Sequence, residues 1–137
     1  MKRLVATMIV GLLAVPALAE GDAEKGKKAF NKCKACHTIV SDAGDTILKG
    51  GKTGPNLYGI VGRTAGTVDG FKYGASLVEA GEKGLVWDAE TFAEYTQDPK
   101  KFLKTYLDDT SAKSKMSFKL KKGSEDIYAY LESVVAE

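Results

Sequence analysis

Cys33-Lys34-Ala35-Cys36-His37 is the stretch on which the reading of this chain turns. Two cysteines three positions apart, followed at once by a histidine, form the attachment signature of a c-type haem. The thiols can add to both vinyl groups of one haem, and the adjoining histidine is placed to bind the iron from one face. A redox dithiol, half of a zinc site and a small disulfide loop are the alternatives. A zinc site needs about four ligands, and the chain has 2 cysteines and 1 histidine, all inside this motif. A thioredoxin-like dithiol belongs in a βαβ context, which the pattern does not offer. Covalent haem c, one per chain, is the preferred reading.

A six-coordinate haem needs a second axial ligand, commonly His or Met. With His37 the single histidine, a second imidazole is excluded. Of the 3 methionines, Met1 and Met8 fall in the extreme N-terminal stretch, which leaves Met116. A lone methionine is often a gap-filler in a core. Met116, however, sits in the polar and basic run Ser114-Lys115-Met116-Ser117-Phe118, unlike an amphipathic core stripe. His37 and Met116 are therefore the expected axial pair.

Upstream of the motif, Met1-Lys2-Arg3 is a basic start, Leu4 to Val15 an apolar run and Ala17-Leu18-Ala19 a small-residue cleavage pattern. Together they read as a secretory signal peptide over 1–19, too short and wrongly flanked for a membrane anchor. The mature chain, 20–137, has the length of one domain. A domain of this size buries a modest share of its unfolded surface, so a central haem would supply much of its core.

Downstream, 11 glycines between Gly44 and Gly84 predict turns and irregular loops. Helical patterns flank them. Asp22 is placed to cap a helix running to about Cys33, and Asp88 one over 89–97. Pro99 fits the first turn of another through Tyr106. Ser124 is placed to cap the last helix, whose buried stripe is Ile127, Tyr130, Leu131 and Val134. No alternating strand pattern stands out. The expected fold is all-α, four to five helices with long loops around one haem.

With Cys33 to His37 near the start and Met116 some eighty residues on, the chain resembles class I cytochromes c, and within them the bacterial cytochrome c2 and c550 group. The resemblance spans the mature chain. Its marks are Gly26 and Phe30, Lys52-Thr53-Gly54-Pro55-Asn56-Leu57, Val61-Gly62-Arg63, Phe71-Lys72-Tyr73, Gly84-Leu85-Val86-Trp87, Glu94-Tyr95, Asp98-Pro99 and Lys115-Met116. Longer runs at 41–51 and 107–114 are similar to the larger bacterial form. The resemblance implies that residues 20–137 are one cytochrome c domain and that the Pro55 carbonyl accepts the proton on the non-ligating nitrogen of His37. It implies that Tyr73, Trp87 and Arg63 hold a haem propionate, that Tyr95 and Ser114 bond around the methionine sulfur and inner propionate, and that Phe118 covers the haem edge. Gly26 and Phe30 would pack on Ile127 and Tyr130. On sequence alone Trp87 would be a core aromatic and Pro55 a turn.

Charge is unevenly placed. Without Lys2 and Arg3 the chain carries 18 basic and 18 acidic residues, yet 100–122 has a balance of +6 and 69–99 one of −5. Lys100, Lys101, Lys113, Lys115, Lys119, Lys121 and Lys122 bracket Met116, while Lys32 and Lys34 flank His37. Such a ring would steer the protein towards acidic partners, with Lys25 and Lys72 expected to lie away from it. Zero balance and export exclude nucleic acid as a partner. The implied function is a soluble, monomeric periplasmic one-electron carrier, its iron cycling between ferric and ferrous. It would take electrons from a cytochrome bc1 complex and pass them to a photosynthetic reaction centre or terminal oxidase, with no catalytic residue and no membrane anchor. The competing reading is a haem enzyme or gas-binding sensor with a displaceable axial Met, which usually needs distal polar groups; the haem-free dithiol protein ranks third.

Overall fold

Asp22 opens the first helix as its position predicts. Its carboxylate accepts from the backbone N–H of Glu24 and Lys25 at 3.0 and 3.1 Å and starts α1 (Ala23–Ala29). The computed structural model describes residues 21–136; the signal-peptide reading of 1–19 lies outside them. Beyond Ala29 the helix tightens into a 3₁₀ turn over Phe30–Lys32 that delivers the chain to Cys33. The predicted helix to Cys33 is thus α-helical for most of its length and 3₁₀ at its end.

The last helix, α5 (Ser124–Ser133), crosses α1. Contact is possible because position 26 is glycine: an added Cβ would collide with the Asp126 carbonyl and stand 2.8 Å from Tyr130 Cβ. Phe30 then meets Tyr130 edge-on with ring centroids 5.9 Å apart, and Phe30, Ile127 and Leu131 are fully buried. One cap is corrected. Gly123, at φ 84°, stands at the N-cap of α5, and Ser124 is the first helical residue, making no side-chain cap. A left-handed backbone at the cap favours glycine, so the serine hydroxyl never faces the free amides.

Between these helices, α3 (Ala89–Gln97) begins with a reciprocal box. Thr91 N–H donates to Asp88 Oδ1 at 2.8 Å, and Asp88 N–H donates to Thr91 Oγ1 at 3.1 Å. Pro99 occupies the first turn of α4 (Pro99–Tyr106), capped by Asp98, which accepts from Lys101 N–H at 3.1 Å. α3 packs on both α4 and α5.

The glycine-rich middle is more ordered than its composition predicts. It contains α2 (Ala75–Glu82), which packs on α4. Gly81 inside α2 lies so close to the Ala65 carbonyl that a Cβ would clash there, so this glycine marks close approach and not a break. A short antiparallel hairpin, β1 (Ile39–Val40) with β2 (Thr46–Leu48), also corrects the expectation of no strand. Strands of 2 and 3 residues are too short to show alternation. Asn56 supports β1 from the other side, its amide accepting from Val40 N–H at 3.0 Å and donating to Val40 C=O at 2.8 Å. The architecture is five α-helices with little strand, and among the described residues no helix is long and apolar enough to cross a membrane.

Candidate cofactor site

The turn after Phe30 arranges the motif. Cys33 N–H donates to Phe30 C=O at 2.8 Å, and His37 N–H to Cys33 C=O at 3.0 Å, so Cys33, Cys36 and His37 all border one cavity. The loop that follows is laid directly over them. Gly51 and Gly54 N–H donate to the carbonyls of Lys34 and Cys36 at 2.9 and 2.7 Å. A Cβ on Gly54 would stand 2.6 Å from His37 Nδ1 and 2.9 Å from Nε2, so bare backbone lies against the imidazole. The motif around Gly54 does not by itself reveal this role; its place just before Pro55 is the signal the sequence offers.

His37 Nδ1 is 2.8 Å from the Pro55 carbonyl oxygen. A carbonyl only accepts, so the ring proton sits on Nδ1 and Nε2 keeps its lone pair. Burial pushes the imidazole pKa down, with the Pro55 bond opposing, which favours the neutral ring. Burial also pushes the Cys33 thiol up to about 11, against a smaller downward pull from Lys32. A dithiol nucleophile needs the reverse, a lowered thiol pKa.

A second loop brings Met116 to the same cavity. Ser114 Oγ–H donates to the Met116 carbonyl at 2.8 Å, and the Ser114 side chain also hydrogen-bonds the Tyr95 hydroxyl. Tyr95 is 8% exposed; burial raises its pKa and the Ser114 bond opposes. Its ring packs 4.8 Å from that of Trp87, centroid to centroid. Tyr73 and Trp87 both line the cavity. Tyr73 accepts from Val68 N–H at 3.2 Å, and Trp87 accepts at its carbonyl from Tyr128 O–H at 3.1 Å. Arg63 does not line the cavity: its Nε–H donates to Gly59 C=O at 3.3 Å, and its charge lowers the Tyr73 pKa against burial. Phe118, 41% exposed, stands at the rim.

The remaining walls are apolar, with Leu57, Ile60, Phe92, Leu103 and Ile127 among them. Leu120 joins them, its N–H donating to Thr96 C=O at 2.8 Å, which ties the end of the methionine loop to α3. Leu120 is absent from the residues expected at the site, although one apolar residue among Lys119, Lys121 and Lys122 is a signal in itself. Two thiols, one imidazole with a free nitrogen lone pair and one thioether meet in an apolar chamber. That donor set fits a covalently held haem c with nitrogen and sulfur axial ligands.

Lysines surround the mouth. Lys32, Lys113 and Lys115 border the cavity, and Lys100, Lys101 and Lys119 border an adjoining groove that shares Ser114 and Met116 with it. Lys34, Lys121 and Lys122 are exposed but border neither. Lys119 is paired with Asp98 at 2.9 Å. Lys72 is not remote from the others, because its carbonyl accepts from Lys115 Nζ at 2.9 Å and its neighbours Phe71 and Tyr73 line the cavity.

The chain is 67% identical over 121 residues to cytochrome c-551 of Roseobacter denitrificans, covering 88% of this chain and 86% of that one. It is 58% identical over 130 residues to cytochrome c2 of Rhodobacter capsulatus, covering 95% and 94%. The solved structure of cytochrome c2 from Rhodobacter capsulatus superposes with a TM-score of 0.81 at 59% identity, over 84% of this chain and 99% of that one. Ferric cytochrome c-550 from Paracoccus versutus superposes with a TM-score of 0.81 at 51% identity, over 85% and 99%. No protein-family model matches.

Proposed function

The chain belongs to the class I cytochromes c, in the bacterial cytochrome c2 group of haem c electron carriers, not enzymes, and from that premise we propose a periplasmic shuttle between membrane redox complexes. The donor is a cytochrome bc1 complex and the acceptor a photosynthetic reaction centre or terminal oxidase. One observation carries the closed-carrier reading: His37 and Met116, from separate loops, border one apolar cavity together with both cysteines.

When bound, haem c supplies a one-electron ferric–ferrous couple. The chain's residues do the rest. Cys33 and Cys36 hold the group covalently. His37 would hold the iron through Nε2, and Pro55 fixes its ring through Nδ1, a bond that also raises imidazole basicity. Met116, on the second loop bordering the cavity, would hold the iron through its sulfur, and nitrogen with thioether ligation would raise the potential. Apolar walls exclude water, Tyr73 and Trp87 border the cavity where they would steady a propionate, Arg63 would act on it only from outside that lining, and Tyr95 and Ser114 hold the methionine loop. Lys32, Lys34, Lys100, Lys101, Lys113, Lys115, Lys119, Lys121 and Lys122 orient the mouth towards an acidic partner. With His37 and Met116 both holding the iron, the group would keep no open position for a substrate.

The test is electron delivery in isolated membranes. The reduced holoprotein should be oxidised rapidly by membranes carrying a reaction centre or oxidase, re-reduced through the bc1 complex, and should leave its spectrum unchanged under carbon monoxide. Immediate carbon monoxide binding, or no exchange with either complex, overturns the proposal.

A further inference from the structure

The loop that carries Met116 has few backbone bonds to the rest of the protein, beside side-chain ties that include Lys119 to Asp98 at 2.9 Å. It is anchored at its ends by Ala112 and Leu120, both buried. Between them, among the described residues, its backbone gives one hydrogen bond to another part of the chain: Lys113 N–H donates to Ser76 Oγ at 3.0 Å, across 37 positions of sequence. Beside it runs a parallel tie. Lys115 Nζ donates to Lys72 C=O at 2.9 Å, and its stem crosses Gly74, where an added Cβ would stand 3.4 Å from Lys115 Cγ. The side chain between these two lysines points the other way, since Ser114 bonds to Tyr95 and to the Met116 carbonyl.

Ser76 belongs to the first turn of α2, and α2 is itself fixed. Ala80 is fully buried, Gly81 lies against the Ala65 carbonyl, and the helix packs on α4. From this fixed post Ser76 holds the loop backbone through one bond, made when the loop is closed and lost to water when it opens. A net hydrogen bond of this kind contributes about 1 kcal/mol, equivalent to about fivefold in an opening equilibrium.

We propose that Ser76 is a positioning residue for Met116. Its hydroxyl, assisted by the Lys115–Lys72 bond, forms a latch that sets how often the thioether leaves the cavity. The inference rests on Met116 being the axial ligand, and its test separates the two claims. An external ligand that binds only the open form has an apparent affinity scaled by the open fraction.

Imidazole binding to the ferric holoprotein is measured for wild type, Ser76→Ala, Ser76→Thr and Lys115→Gln, with Met116→Ala as reference. Amide exchange at Lys113 and Met116 is followed on the same full-length proteins. Ser76→Ala should keep the red sulfur-to-iron band and hold the midpoint potential, while imidazole affinity and exchange at both amides rise about fivefold, the size of one net hydrogen bond. Ser76→Thr, which retains the hydroxyl, should match wild type, and Lys115→Gln should shift in the same direction by less. Should Ser76→Ala not fold, the Thr and Gln variants still carry the comparison. Unchanged exchange at Lys113 and Met116 in Ser76→Ala, or loss of the latch in Ser76→Thr, overturns the proposal. Wild type that lacks the red band and binds imidazole as readily as Met116→Ala overturns the ligand assignment instead; the exchange data then judge the latch alone.

Discussion

Gly54 shows how much of the site depends on a side chain that is absent. Because a Cβ there would stand 2.6 Å from His37 Nδ1, Gly54→Ala must push either the imidazole or the loop. Overpacking of this kind costs on the order of 1–3 kcal/mol, and here the strain falls on the ring held by Pro55. Denaturant unfolding of the holoprotein should show that loss, accompanied by a shifted midpoint potential. Wild-type stability and potential in the variant would mean that the loop yields without touching His37. Identity was more legible than placement at this level. Cys33, Cys36, His37 and Met116 could be picked out because so few residues of those types exist in the chain. Arg63 was expected to hold a propionate but does not border the cavity, and nothing in a linear motif tells a wall residue from its neighbour.

Helix termini divide into those the sequence states and those it disguises. Asp88 caps α3 through its own carboxylate, so Asp88→Ala should cost about 1 kcal/mol, whereas Ser124→Ala, at a residue that caps nothing, should stay within about 0.5 kcal/mol. Parallel urea titrations decide it, and a larger loss at Ser124 would contradict the cap at Gly123. The start of α4 adds a pH signature. Lys119 is the main cause holding Asp98 below its ordinary 3.8, followed by the Lys101 N–H bond. A depressed folded-state pKa stabilises above the unfolded value and loses that contribution as pH falls through the folded one. Lys119→Gln should therefore be less stable than wild type above about pH 4, the unfolded range of Asp, and the gap should close on further acidification. A gap that widens in acid would refute the pairing. α2 and the hairpin escaped the sequence because their order comes from contacts made elsewhere, at the Ala65 carbonyl and the Asn56 amide. Local composition holds no record of those partners.

Taken whole, the molecule borders the mouth of its cavity with lysines, Asp98 being the acid among them, while the segment 69–99 carries a balance of −5. Exposed charges more than about 10 Å apart are largely screened at 0.1 M salt. Reversal at Lys113 or Lys101 should thus slow electron transfer to membranes most at low ionic strength, with rates converging on wild type as salt rises. Lys25 serves as the control; Lys72 does not, given its contact with Lys115. Equal, salt-independent effects at Lys25 and Lys113 would reduce the lysines to solubilising charges. All of this presupposes the closed axial pair, which one measurement reaches most directly: the red-region absorption spectrum of the ferric holoprotein, wild type beside Met116→Ala. The account predicts a weak sulfur-to-iron band in wild type and its loss in the variant. A band that survives the substitution, or that wild type never shows, would contradict it.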